Sequence, residues 1–157
     1  MPTDLSNLSD HFSWEEASIT QVRGVDNAVP EQIKPAVIFT ANRLEYVRAL
    51  LESPIIINSW YRSPGVNLRV GGSKSSQHMQ GCAVDFMSPK FGKPVDVCRK
   101  IIKYTDLVNY DQLILEHGWV HISFIPIPGA VGRKQVLSLL QSGGYAIGLT
   151  DKLGNKL

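Results

Sequence analysis

Apolar residues recur at three- and four-residue steps between Pro30 and Leu51, where Ile33, Val37, Leu44, Val47 and Leu51 make one stripe. That period predicts an amphipathic helix. Pro35 suits only a first turn, so the helix is expected to start within a residue or two of Pro30, with Ser53-Pro54 as its stop. Ile55-Ile56-Ile57 has no period and is β-branched, which reads as a buried strand. It runs into Asn58–Gly65, a loop rich in turn residues, and Val66–Val70 reads as one or two helical turns. Ser73–Gly81 is polar and is expected to be a loop, and Cys82–Phe86 to be a second strand. Pro94–Tyr104, with Val97, Ile101 and Tyr104 on one side, predicts a second helix, and Arg133–Gln141 a short last one. Thr150–Leu157 reads as a loose tail. At the other end, Ser13 followed by Glu15 and Glu16 marks a helix start, flanked by the aromatic anchors Phe12 and Trp14.

The most informative stretch is Asp111–Phe124, which alternates on both sides of His117-Gly118. If those two residues form the turn, Glu116 faces Trp119, Ile114 faces His121 and Gln112 faces Ser123. Period-two alternation then puts these six on one face, and Leu113, Leu115, Val120, Ile122 and Phe124 on a wholly apolar one that must be core. Glu116 and His121 become diagonal neighbours, roughly 7–8 Å apart at Cα. Strands and helices mix without strict alternation, so the expected class is α+β with a small antiparallel sheet flanked by helices.

Composition narrows the function. A chain of 157 residues with 43% hydrophobic and 19% charged content suits one folded domain. It divides into an N-terminal arm (1–28), a core (29–124) and a C-terminal extension (125–157). A net charge of +2 does not argue for a nucleic-acid partner, which calls for a clustered basic face. Two cysteines, Cys82 and Cys98, exclude a disulfide scaffold and a cysteine-only zinc site, and free buried thiols are expected. Met1–Asp26 has neither a positive n-region nor an apolar h-region, so no signal peptide is expected, and no apolar run approaches the ~20 residues of a membrane helix. A monomer without membrane insertion is the expectation.

Candidate chemistry enters with Ser76–Asp85. Asp85 lies in an apolar strand, and a buried ionised acid is nearly always paired or metal-bound. His78 is seven positions earlier, on the wrong face of an unbroken strand, but Gly81 permits a turn or bulge that re-aims it. His78, Asp85 and His121 then suit Zn²⁺, with the fourth tetrahedral position left for water. The residues alone leave a second reading open, a hydrogen-bonded His–Asp pair that orders the core.

Ser76-x-His78-x-x-Gly81-x-Ala83-x-Asp85, the later Trp119-Val120-His121 and the upstream Tyr61-Arg62-Ser63-Pro64 together resemble the M15 family of zinc peptidases. These are D-alanyl-D-alanine carboxypeptidases and L-alanyl-D-glutamate endopeptidases, many of them bacteriophage endolysins. His11-Phe12-Ser13-Trp14-Glu15-Glu16 is similar to the opening of the phage-type branch, and the resemblance runs from about Phe12 to Phe124. It implies the zinc fold shared with hedgehog-type domains, one Zn²⁺ held by His78, Asp85 and His121, and peptidoglycan stem peptides as substrate. It implies that Arg62 holds a substrate carboxylate and Ser76 the substrate backbone, and Trp119 is expected to wall the cleft. In several branches the catalytic acid stands three positions before the last zinc histidine, where this chain has Gly118. Glu116 is therefore assigned as general base, with Asp111 as the fallback, and His117 is expected to point to solvent. The resemblance also admits a zinc-bearing binding or virion domain without activity. An endolysin lacking a signal would reach the wall by holin-assisted release or carriage in a phage particle.

Overall fold

A computed structural model is described over residues 6–157; the first five residues of the expected arm lie outside the described residues. The elements run α1 (Trp14–Ala17), α2 (Lys34–Leu51), β1 (Ile56–Ser59), α3 (Pro64–Arg69), a 3₁₀ turn (Gln77–Gln80), β2 (Ala83–Met87), α4 (Pro94–Lys103), α5 (Thr105–Val108), β3 (Gln112–Leu115), β4 (Val120–Ser123), β5 (Gln135–Leu139) and β6 (Tyr145–Ile147). The six strands form one sheet in the order β1-β2-β4-β3-β5-β6. This is the expected α+β class. The sheet is larger than expected, and one of its pairings, β3 with β5, is parallel.

The β3–β4 hairpin has the register its alternation predicts. Ile114 opposes His121 and Leu115 opposes Val120, while Glu116 N–H donates to the Trp119 carbonyl at 3.1 Å. His117 takes φ +67, the conformation the tight turn requires. Leu113, Leu115, Val120, Ile122 and Phe124 are buried, together with Val84 and Phe86 of β2. They meet the apolar sides of α2 and α4, from which Val37, Leu44, Val47, Val97 and Ile101 are buried. Each such side chain contributes about 1.5–3 kcal/mol relative to exposure, so this face cannot be turned outward. The opposite face of the hairpin carries Gln112, Ile114, Glu116 and His121.

Four expectations are corrected. The long helix starts at Lys34, not beside Pro30, because Pro35 occupies its second position; Pro30–Ile33 form a preceding turn closed by Ile33 N–H on the Pro30 carbonyl at 2.9 Å. The polar loop Ser73–Gly81 contains the 3₁₀ turn. Arg133–Gln141 is not a helix. Its centre is β5, because the open edge of β3 offers backbone partners that an isolated nine-residue helix lacks, and short helices are marginal alone. The tail is not loose: Thr150 is buried and bridges Lys156, and the Asp151 side chain accepts from the backbone of Leu153 and Asn155.

The arm is docked as its aromatics suggest. Phe12 is buried edge-on against Trp60, with ring centroids 6.2 Å apart. Ser13 and Glu16 form a reciprocal capping box at the start of α1. Glu45 of α2 accepts from Ser9 Oγ, His11 N and His11 Nδ1. Both cysteines are free and buried, and burial pushes Cys82 up to about 11 and Cys98 up to about 12, so neither is a reactive thiolate. No helix among the described residues is long and apolar enough to cross a membrane.

Candidate active site

The site is built on the polar face of the sheet, where β2 and β4 run side by side. Asp85 of β2 sits directly opposite His121 of β4, and Asp85 Oδ1 lies 2.9 Å from His121 Nδ1. On its other side Asp85 pairs with Ser59 of β1 across a register irregularity. His78 comes from outside the sheet. The 3₁₀ turn that carries it is capped by the Ser76 hydroxyl, which accepts from His78 N–H at 3.2 Å, and ends at Gly81 with φ +77. A Cβ on Gly81 would stand 2.8 Å from Cγ2 of both Ile33 and Val37, so only glycine lets the turn lie this close to α2.

The His78 ring is then locked by its own loop neighbours. Nδ1 donates to the Trp60 carbonyl at 2.6 Å, and the His78 carbonyl accepts from Arg62 N–H at 3.1 Å. With the proton on Nδ1, Nε2 carries the lone pair. It is a buried polar atom with no hydrogen-bond partner among the described residues, 3.3 Å from Asp85 Oδ2 but without bonding geometry. An orphaned imidazole nitrogen is costly unless something fills its lone pair. A cation does so. His78, Asp85 and His121 each offer a ligand atom, and these atoms lie within 4.8 Å of one another. His78 Nε2 lies 3.3 Å from Asp85 Oδ2 and His121 Nδ1 lies 2.9 Å from Asp85 Oδ1, so each imidazole faces its own carboxylate oxygen. Backbone carbonyl contact at the second ring nitrogen is also how metal-binding histidines are usually oriented.

The charges suit a cation. Burial alone would raise the Asp85 carboxyl, but His78 and His121 outweigh it and hold the group well below the usual carboxylate range. Burial lowers His78 against the pull of Asp85, a shift toward the neutral imidazole that a metal would need. Glu116 is half-buried on the same face, and its pKa is raised by burial first and by the Asp85 charge second, with His121 and Arg62 pulling the other way.

These groups line a cavity of about 660 Å³. Arg62, Ser76, Glu116 and Trp119 all line it beside the three candidate ligands. Arg62 is held by the triad itself: its Nη2 is 3.4 Å from Asp85 Oδ2, with Nε on Ser59 Oγ at 3.4 Å. Ser76 has a structural duty, capping the turn of His78, besides any contact with a ligand. Trp119 is 39% exposed at the rim. Asp111 is engaged elsewhere: its carboxylate accepts from Arg133 and from Gln77 Nε2, and the Arg133 hydrogen bonds pull it down to about 2. His117 does not point freely to solvent. Its Nε2 lies 2.8 Å from the Leu139 carbonyl, because β5 supplies an acceptor beside the turn.

Residues 10–123 match the Peptidase M15 family. The chain belongs to this family. Its match spans α1 to β4 and so includes Arg62, Ser76, His78, Asp85, Glu116, Trp119 and His121. The chain is thus a member of a peptidase family with a cluster able to hold a metal inside its main polar cavity. No curated protein matches this M15 chain in sequence.

Three functional features escaped the sequence. Asn27 is buried and fastens the Arg62 loop to the arm, donating to the Ser18 and Tyr61 carbonyls and accepting from Ser63 N–H. Arg133 and Tyr145 line the cavity from beyond the matched span of this M15 member. No motif marks either, since both depend on where β5 and β6 join the sheet.

Proposed function

We propose that the protein is a zinc-dependent hydrolase of peptidoglycan stem peptides, an endopeptidase of the phage endolysin kind. The observation that carries the reading is the orphaned Nε2 of His78, aimed at Asp85 and His121 on the wall of a cavity that also holds Glu116. When bound, a zinc ion supplies Lewis acidity that polarises the scissile carbonyl and acidifies water to a pKa of about 7. His78, Asp85 and His121 are the residues that would hold it. The Glu116 carboxylate takes the proton of the attacking water and delivers it to the leaving amine nitrogen. Its raised pKa suits both halves of that task. Arg62 and Ser76 align the peptide, and Trp119 closes the rim against bulk water. No covalent intermediate is required.

A second cavity, of about 440 Å³, favours cleavage within a peptide over trimming its end. It is lined by Ile19, Val22, Val66 and Val70 and shares Arg62, Asp85 and Trp119 with the first. A peptide occupying both cavities would extend past the candidate metal centre, as cleavage within a chain needs and trimming of its end does not. The phage-type opening His11–Glu16 supports the lysin role.

The test is mass spectrometry of purified peptidoglycan digested with the zinc-loaded protein. New amino termini inside the stem peptide are expected. Release of only the terminal residue would replace the endopeptidase with a carboxypeptidase. Stoichiometric zinc with no new amino groups would favour the binding or virion role.

A further inference from the structure

Two arginines line the main cavity, and they differ in what their guanidinium groups have left to offer. All three nitrogens of Arg62 meet protein acceptors: Ser59 Oγ at 3.4 Å, Asp85 Oδ2 at 3.4 Å and Asn67 Oδ1 at 3.5 Å. Arg133 is bound along one edge only. Its Nε donates to Asp111 Oδ1 and its Nη2 to Asp111 Oδ2, both at 2.9 Å. Its backbone N–H reaches the same Oδ1 at 3.1 Å. Asp111 is itself held from a second side, since its side chain is 4% exposed and also accepts from Gln77 Nε2 at 2.9 Å.

The outer edge of Arg133 is open. Among the described residues no acceptor meets its Nη1, and the side chain is 59% exposed on the cavity wall. A guanidinium carries five N–H donors. Two are spent on Asp111, so Nη1 and the second hydrogen of Nη2 remain as a fork pointing away from the buttress. A fork of that kind matches a carboxylate with two parallel hydrogen bonds. Because Asp111 already holds the guanidinium in plane, little rotamer entropy is left to lose when a ligand binds.

We propose that Arg133 is an anchor for a free carboxylate carried by the substrate peptide. The proposal rests on the peptidase reading above and adds to it a specificity residue from outside the family-matched span. Arg133 reaches the cavity from the β3–β5 side, while the apolar second cavity lies beyond Arg62 and Trp119. The cleft thus reads a carboxylate on one side of the scissile bond and an apolar group on the other. A peptide whose carboxylate is converted to an amide keeps its shape but loses the acceptor pair that the fork requires.

The experiment compares two synthetic peptides, alanyl-γ-glutamyl-lysine with a free glutamate α-carboxylate and the same peptide with an α-carboxamide. Both are hydrolysed by the zinc-loaded full chain, by Arg133→Gln and by Arg133→Gln/Asp111→Asn, the last so that no buried carboxylate is stranded. The wild type is expected to prefer the acid by roughly 10–100-fold in kcat/KM, mostly through KM, as the worth of a charge-assisted hydrogen bond implies. Both variants are expected to lose that preference while binding one zinc. An acid preference that survives in both variants overturns the anchor and leaves the peptidase reading standing. A wild type that binds zinc and cleaves neither peptide overturns both.

Discussion

Asp85 and His121 are cross-strand partners, directly opposed on β2 and β4, with carboxylate Oδ1 2.9 Å from imidazole Nδ1. Two members of the cluster that could hold a metal are therefore placed by a backbone register rather than by loop conformation. The apolar reverse faces of the same two strands are buried, so the pairing that places them is anchored in the core. His78, the third member of that cluster, depends on a turn.

Removing a strand-borne ligand should abolish tight metal binding without unfolding the sheet. His121→Ala is expected to lose stoichiometric zinc on elemental analysis while keeping a native-like circular dichroism spectrum. Retention of one zinc per chain would take His121 out of the ligand set.

Glu116 acts in the proposed chemistry and not in the cluster that could hold the metal. Glu116→Gln keeps the shape of the side chain, so zinc content should be unchanged. Hydrolysis of wall peptides should fall at least ~100-fold, the low end for loss of a general base. Turnover near the wild-type rate would move that role elsewhere.

Gly81 tests the turn that delivers His78. Alanine there meets a φ of +77 and two stiff β-branched side chains at 2.8 Å. The expected cost is about 1–3 kcal/mol of stability, read as a lower midpoint in thermal denaturation, together with weaker zinc binding because the Nε2 of His78 is misdirected. A variant with wild-type stability and wild-type zinc affinity would contradict the assignment of glycine to that close approach.

Asp111 supplies an acid-sensitive element away from the metal cluster. Its carboxyl is held down at about 2 by Arg133, below its ordinary value. A depressed folded-state pKa contributes stability that is fully present above the unfolded value and is lost as pH falls through the folded one. Asp111→Asn should therefore be less stable than the wild type above pH ~4, with the gap closing toward pH ~2. A gap that stays constant across that window would mean that the Arg133 pairing contributes nothing to folding.

Much of the site could be read from one dimension. Gln112–Ser123 alternates so strictly that its turn, register and two faces follow from period two alone, and His121 and Glu116 fall on the face away from the core. Asp85 stands out in the sequence as an acid stranded among apolar residues, and Gly81 as the break that can re-aim His78. The local pattern of Arg133–Gln141 permits a helix, whereas its true partner is the edge of a strand twenty-three residues earlier. Arg133, Tyr145 and Asn27 carry no local signal at all; they matter through contacts with residues distant in the chain.

Local order along the chain determined which residues could ligate, which face of the hairpin was core, and where the main helix ran, because side-chain alternation and helical period are set by backbone geometry within a few residues. Only the tertiary structure decided that Asp85 stands opposite His121, that His78 presents a bare nitrogen to them, and that the C-terminal strands complete the cavity wall. Those outcomes depend on which strand edges satisfy one another's hydrogen bonds, a competition among distant segments that no local period encodes.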